Sequence, residues 1–300
     1  MIYKILFFLS ILTISTVGAK NIDEKVYTGT IGYLTDGLSD IQYKDTRIAF
    51  SLWTKEIALD ENIEVKTLFF NHDSDVLGKY LNNDFDAMTI NPIFYLQNQK
   101  RLDATTQGYY IIQRSQKKYE KLLILVRKDS GIKNISDLQN KIVGIRADSY
   151  YGKLFLDKEI LKKTHKDPKN YIKKLLTTKR YSTALLKTFF KKTDACVVPA
   201  YVFDLLVEMN PSLKRNLMRI VESENIFMPA ITIVHTKTPK KLNDAYRRSI
   251  DRLDSTQRGN SILSLFKTKK IHFIKLEELE GIKEYYKEYT ELKKRYLLKK

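Results

Sequence analysis

Short apolar runs alternate with longer amphipathic stretches from Val26 to about Phe266, and this rhythm restricts the chain to few folds. The apolar runs Val26–Leu34, Ile63–Phe70, Asp86–Ile90, Gln107–Gln113, Lys121–Lys128, Lys141–Arg146, Lys173–Thr177, Asp194–Val198, Arg219–Glu222 and Ala230–His235 read as strands. Leu122–Val126 has no polar break, the pattern of a strand buried on both faces. Helices are expected from Ser39 or Asp40 to about Ala58, over Asp73–Asn82, from Pro92 to Gln99, from the Ser149 turn to Lys163, and over Ser182–Phe190, Ala200–Met209, Pro239–Leu253 and Ser261–Phe266. Ser136 is expected to cap a short helix. The tail Leu276–Leu298, rich in Lys and Tyr, reads as helical, and Ile282–Leu298 is expected to pack on the first lobe rather than form a docking arm. Strands and helices alternating at these lengths predict an α/β fold with mostly parallel sheets.

The chain has no internal repeat, and no Pro, Gly or Ser-rich linker divides it. The expected division is a pair of extended crossings, near Tyr119–Lys128 and Arg219–Ser223. Residues 20–120 and 222–300 then form a discontinuous first lobe with C-terminal helices, around an inserted second lobe of residues 121–221. A ligand would lie between the lobes, where strand C-termini and helix N-termini face a cleft.

Residues 1–19 read as a secretory signal peptide: Lys4, then the apolar run Ile5–Val17, then the small residues Val17-Gly18-Ala19 before Lys20. The expected location is the periplasm. Cleavage after Ala19 would leave 281 residues carrying a net charge of +17, against +18 for the whole chain. Such a charge suits nucleic acid, an anionic membrane or an anionic solute. Export argues against nucleic acid, and abundant Lys, Ile and Asn supply a purely compositional explanation. The single Cys, Cys196, sits in an apolar run and is read as a small buried hydrophobe. The four His are scattered without metal-ligand spacing, so no metal, cofactor or catalytic residue is expected.

Candidate ligand-binding residues follow from the predicted strand ends. A turn ending in Gly152 before a helix presents outward N–H groups and the positive end of the helix dipole, and Ser149 and the Tyr150 phenol add hydroxyls. Ser149 can equally cap its helix. Thr178, Arg180 and Tyr181 form a second strand-to-helix junction, where Arg180 can pair bidentately with an anionic group or remain solvated. In the first lobe, Tyr33 lies at the end of the first strand, and Asn91 either contacts ligand or closes the turn before Pro92. Tyr33, Tyr95, Tyr150, Tyr151, Tyr181 and Tyr201 recur near strand ends and could line the cleft with rings and phenols, although some must pack in the lobe cores.

Four stretches resemble the phosphate/phosphite/phosphonate-type periplasmic substrate-binding proteins of ABC transporters. They are Asp84–Tyr95 with its Asn91-Pro92 turn, Val126–Ile132 with Asp137–Lys141, Asp148–Gly152, and Asp194-Ala195 with Glu208–Pro211. The resemblance implies a two-lobed type II periplasmic binding fold joined by two hinge crossings. It also implies capture of a small, anionic solute without covalent chemistry, and delivery to an ABC permease. The chain departs from the family where Tyr150 and Tyr151 replace hydroxyl residues, and where Thr177–Ser182 lacks a frequent His. A second expectation is a sensor that presents its solute to a membrane histidine kinase or cyclase receptor. Either partner would meet the protein as a monomer.

Overall fold

The computed structural model describes residues 27–34, 48, 51–52, 54–55, 63–70, 73–114, 119–147, 149–227, 230–265 and 268–298. The predicted leader, the loop at Asp36-Gly37, Asp148 and most of the helix expected from Ser39 to Ala58 lie outside them. Within that helix Ile48, Ser51, Leu52, Thr54 and Lys55 are described, and they are helical.

Eleven strands form two sheets among the described residues. The first has six strands in the order β11-β4-β10-β3-β1-β2: β1 (Tyr27–Leu34), β2 (Ile63–Phe70), β3 (Ala87–Ile90), β4 (Thr106–Arg114), β10 (Ile231–His235) and β11 (Thr268–Ile274). The second has five in the order β7-β6-β8-β5-β9: β5 (Leu122–Arg127), β6 (Ile142–Arg146), β7 (Lys174–Thr178), β8 (Ala195–Pro199) and β9 (Leu217–Glu222). The α/β reading is correct, but the sheets are mixed rather than mostly parallel. β1, β2 and β3 run parallel, as do β6, β7 and β8, whereas β4, β5, β9, β10 and β11 pair antiparallel. The chain leaves the first sheet along β4, which runs in the direction of the parallel set, and returns along β10, which runs against it and separates β4 from β3. β11 was not anticipated, because its two adjacent lysines mask the alternation of an edge strand.

The helices are α1 (Asp73–Leu81), α2 (Pro92–Gln97), α3 (Gln99–Asp103), α4 (Tyr150–Thr164), α5 (Pro168–Tyr171), α6 (Tyr181–Phe189), α7 (Ala200–Met209), α8 (Ser212–Asn216), α9 (Lys240–Leu253), α10 (Gln257–Leu265) and α11 (Glu280–Tyr296). None is long and apolar enough to cross a membrane. The short turn over Ile135–Leu138 is capped by Asn134 rather than Ser136. The Asn134 side chain accepts the Ser136 amide while Asp137 reaches back to the Asn134 amide.

Strand register fixes where the sheets meet the crossings. In the first sheet Leu34 lies beside Phe70, and Ile231 pairs with both Ile90 and Ile111. The C-terminal ends of β1, β2 and β3 therefore share an edge with the start of β10 and the outgoing half of β4. In the second sheet Leu122 pairs with Pro199, Leu123 with Glu222 and Arg146 with Thr178. Here too the C-terminal ends of the parallel strands lie where the crossings enter. The crossings bond to one another: Glu120 and Phe227 exchange backbone hydrogen bonds of 2.7 and 3.2 Å, and Ser223 Oγ accepts the Leu122 amide.

The tail helix α11 does not rest on the first lobe alone. It packs against α2 and also against α4 of the second sheet. Lys158 of α4 is buried, paired with Glu288 of α11 at 2.5 Å and lying 3.4 Å from the centre of the Tyr285 ring. Phe227 joins this seam, with its ring 5.0 Å from Tyr151 and 5.2 Å from Tyr285.

Candidate functional site

The candidate site lies at the C-terminal ends of β6 and β7 in the second sheet. β6 is apolar until its last residue, Arg146, which is only 4% exposed. Backbone bonds from Ala147 N to Thr178 O and from Ser149 N to Arg146 O turn the chain tightly into α4. Ser149 Oγ accepts the Gly152 amide at 3.1 Å and lies 2.9 Å from the Tyr181 hydroxyl. Gly152 is required there, since a Cβ would fall 2.5 Å from Ser149 Oγ and 3.1 Å from Ile145 Cδ1. The Arg146 guanidinium carbon lies 4.7 Å from the centre of the Tyr181 ring, a buried cation over an aromatic face. Thr178 Oγ1 donates to Arg180 O at 2.9 Å, shaping the turn into α6, and the Arg180 side chain is exposed.

Of the ten expected residues, the fold gathers Ser149, Thr178 and Tyr181 into one polar cluster, with Arg180 on its rim. Ser149 both caps α4 and bonds within the cluster. Tyr150, at the start of α4, points to the first lobe: Gln97 of α2 donates to its hydroxyl at 2.9 Å and to that of Tyr286 on α11 at 3.0 Å. One amide thus ties α2, α4 and α11 together.

The other five are engaged in packing. Tyr33 is buried and stacked on Phe69 at 5.5 Å; burial pushes its phenol pKa up, against a hydrogen bond with Thr54. Asn91 Oδ1 accepts the Phe94 amide at 2.9 Å and caps α2, so its side chain closes the turn before Pro92. Tyr95 is fully buried and donates to Asp103; burial, with the Asp103 carboxylate beside it, raises its phenol pKa. Tyr151 packs on Phe227, and burial, reinforced by Glu120, pushes its phenol well up. Tyr201 is half-buried against the apolar cluster behind β8.

The sequence pattern does not single out Arg146 or Gln97, which the structure places beside these residues. Arg146 had a readable signal, a lone cation ending an apolar strand directly before the Ser149 turn. Gln97 had none, because its partners lie 53 and 189 residues away. The cluster offers hydroxyls and buried positive charge, which suits holding an anion. A small pocket of about 30 Å³ between β1, β2 and α9 lies at the opposite edge of the first sheet, and its walls are mainly apolar. Among the described residues no group of three His, Cys, Asp or Glu could hold a metal ion.

Residues 53–279 match the family model described as "ABC transporter, phosphonate, periplasmic substrate-binding protein". The chain belongs to this family of periplasmic substrate-binding proteins, which are transport proteins rather than enzymes. Solved structures share the fold. The binding-protein component of an ABC phosphonate transporter from Pseudomonas aeruginosa is 14% identical, with a TM-score of 0.69 over 92% of this chain and 90% of that one. A Xanthomonas citri protein bound to ATP is 13% identical, with a TM-score of 0.66 over 90% and 99%. PhnD1 from Prochlorococcus marinus in complex with methylphosphonate is 16% identical, with a TM-score of 0.65 over 88% and 98%. These likenesses give the type II periplasmic binding fold. No curated protein sequence matches the chain.

Proposed function

We propose that this protein captures a small oxyanion, a phosphonate or a chemically similar anion, between its two lobes and delivers it to an ABC permease. Residues 20–120 with 222–300 act as one lobe and residues 121–221 as the other, and the leader Met1–Ala19 directs export of a monomer. Ser149, Tyr150, Thr178, Arg180 and Tyr181 meet the ligand, with Arg146 supplying charge from behind Tyr181. Tyr33, Asn91, Tyr95, Tyr151 and Tyr201 hold the walls in place. The observation that carries this reading is the buried Arg146–Tyr181–Ser149 cluster at the mouth of α4, in a chain of this family. Family membership and the methylphosphonate bound by PhnD1 of P. marinus support the ligand class.

Thermal denaturation against a panel of phosphonates, phosphite, phosphate, sulphonates and carboxylates tests the reading. A ligand at about a hundred times its Kd adds about 2.7 kcal/mol to stability, a readily measured rise in Tm. One class of oxyanion is expected to give that rise, and Arg146→Gln is expected to abolish it while leaving the unliganded protein folded. No rise with any oxyanion would overturn the proposal.

A further inference from the structure

From Ile160 to Lys192 the chain carries eleven Lys or Arg against a single Asp, a net +10 out of +18 for all 300 residues. A uniform lysine-rich composition would spread this charge along the chain. The fold concentrates nine of the eleven instead, while Lys179 and Arg180 stand at the cleft edge. α4 and α6 run back across the second sheet, so their C-terminal turns lie at the starts of β6, β7 and β8, the pole opposite the cleft. Lys162, Lys163 and Lys166 gather there with Lys169 of α5, with Lys173 and Lys174 entering β7, and with Lys187, Lys191 and Lys192 after α6. Backbone bonds from Lys173 to Lys141 and from Asp194 to Ile142 bring these segments to one edge.

The nearby carboxylates, Asp129, Asp137, Asp167, Asp194 and Glu288, are five against these nine lysines. Asp137 and Asp194 accept the backbone amides of Lys133 and Asn134 and of Ile142, and Asp167 caps α5. Asp129 pairs with Lys191 and Arg127, and Glu288 reaches Lys162 at 3.6 Å. Lys163, Lys169, Lys173, Lys174 and Lys192 have no carboxylate partner among the described residues. In the middle of this charge, Phe190 ends α6 with 62% of its surface exposed, flanked by Lys187, Lys191 and Lys192.

We infer that this pole is a docking face for a bilayer surface bearing anionic phospholipid. Long solvated lysines match a diffuse and mobile array of phosphate headgroups, whereas a fixed acidic protein surface is better met by the forked geometry of arginine. An exposed aromatic ring ringed by cations is the combination that seats in the headgroup–acyl boundary. The cleft lies at the other edge of the same sheet, so docking leaves ligand capture open.

Co-sedimentation with vesicles tests this. The full-length mature protein is expected to bind phosphatidylglycerol-containing vesicles at low salt, to ignore pure phosphatidylcholine, and to be released by about 0.5 M NaCl. Combining Lys163→Gln, Lys166→Gln, Lys174→Gln and Lys192→Gln should weaken partitioning by about tenfold or more. Phe190→Ser should weaken it severalfold. The combination Lys100→Gln, Lys237→Gln, Lys241→Gln and Lys269→Gln, which removes equal charge from the first lobe, should leave it nearly unchanged. Unaltered thermal melting certifies that each variant is folded. No binding at low salt, equal binding to phosphatidylcholine, equal loss in both lysine combinations, or retention on heparin without vesicle binding would each overturn the inference.

Discussion

A single methyl group decides the turn that opens α4. Gly152 lets Ser149 Oγ fold back onto its amide, and an alanine there would place Cβ 2.5 Å from that oxygen. Gly152→Ala should therefore break the cap and the Ser149–Tyr181 contact together, at a cost of about 1–2 kcal/mol in urea denaturation. An unchanged midpoint would mean that the turn relaxes freely and does not hold the cluster. Cys196 shows the opposite use of a polar atom. It is wholly buried in β8, and burial pushes its thiol up to about 12. Native protein should leave a disulfide reagent such as Ellman's unreacted at pH 8, while unfolding in urea releases one reactive thiol per chain. Fast labelling of the native state would contradict that burial.

Among the elements, α11 has the largest consequence, because it packs on both α2 and α4. Its seam buries charge: Lys158 meets Glu288, and Asp157 lies against Tyr289 at 3.5 Å. Burial raises the Asp157 carboxyl to about 6, with Lys153 and Lys293 opposing the rise. The unfolded carboxyl titrates near 3.9, so below that value both states are protonated and no penalty arises. Between about pH 4 and 6 the unfolded chain ionises while the folded one does not, and stability falls; above 6 the full penalty, about 1–3 kcal/mol, is present. Asp157→Asn should accordingly raise the urea midpoint at pH 7, leave it unchanged near pH 3.5, and flatten the slope between. A variant no more stable at pH 7 would show that Asp157 ionises freely in the folded protein.

At the scale of the molecule, two backbone crossings, the Lys158–Glu288 and Asp157–Tyr289 contacts of the α11 seam, and the Gln97 bridge join the lobes on the α4 side. Gln97 donates to Tyr150 and Tyr286 at once, and each such hydrogen bond contributes about 0.5–1.5 kcal/mol. Closure around a ligand shifts a balance of similar size between open and closed forms. Gln97→Leu combined with Tyr150→Phe should increase the radius of gyration of the unliganded protein in small-angle X-ray scattering, with secondary structure unchanged. An identical scattering profile would mean that the α11 seam alone sets the lobe angle.

Apolar runs and caps determined most elements of this protein, because those signals are local: β2 and α7 have the predicted boundaries, and most other predicted strands and helices differ by a residue or two. Local pattern also exposed the Ser149 turn and the Thr178–Tyr181 junction, since a strand-to-helix turn is written in neighbouring residues. It could not separate tyrosines that pack from tyrosines that face a cleft: Tyr95 and Tyr150 look alike in sequence, yet one is fully buried against Asp103 and the other meets Gln97. Nor could it show the antiparallel half of each sheet, the place of α11 across both lobes, or the gathering of lysines from α4, α5, β7 and α6 at one pole. Those depend on contacts between residues far apart in the chain, and only the closing of the sheets decides which distant surfaces meet.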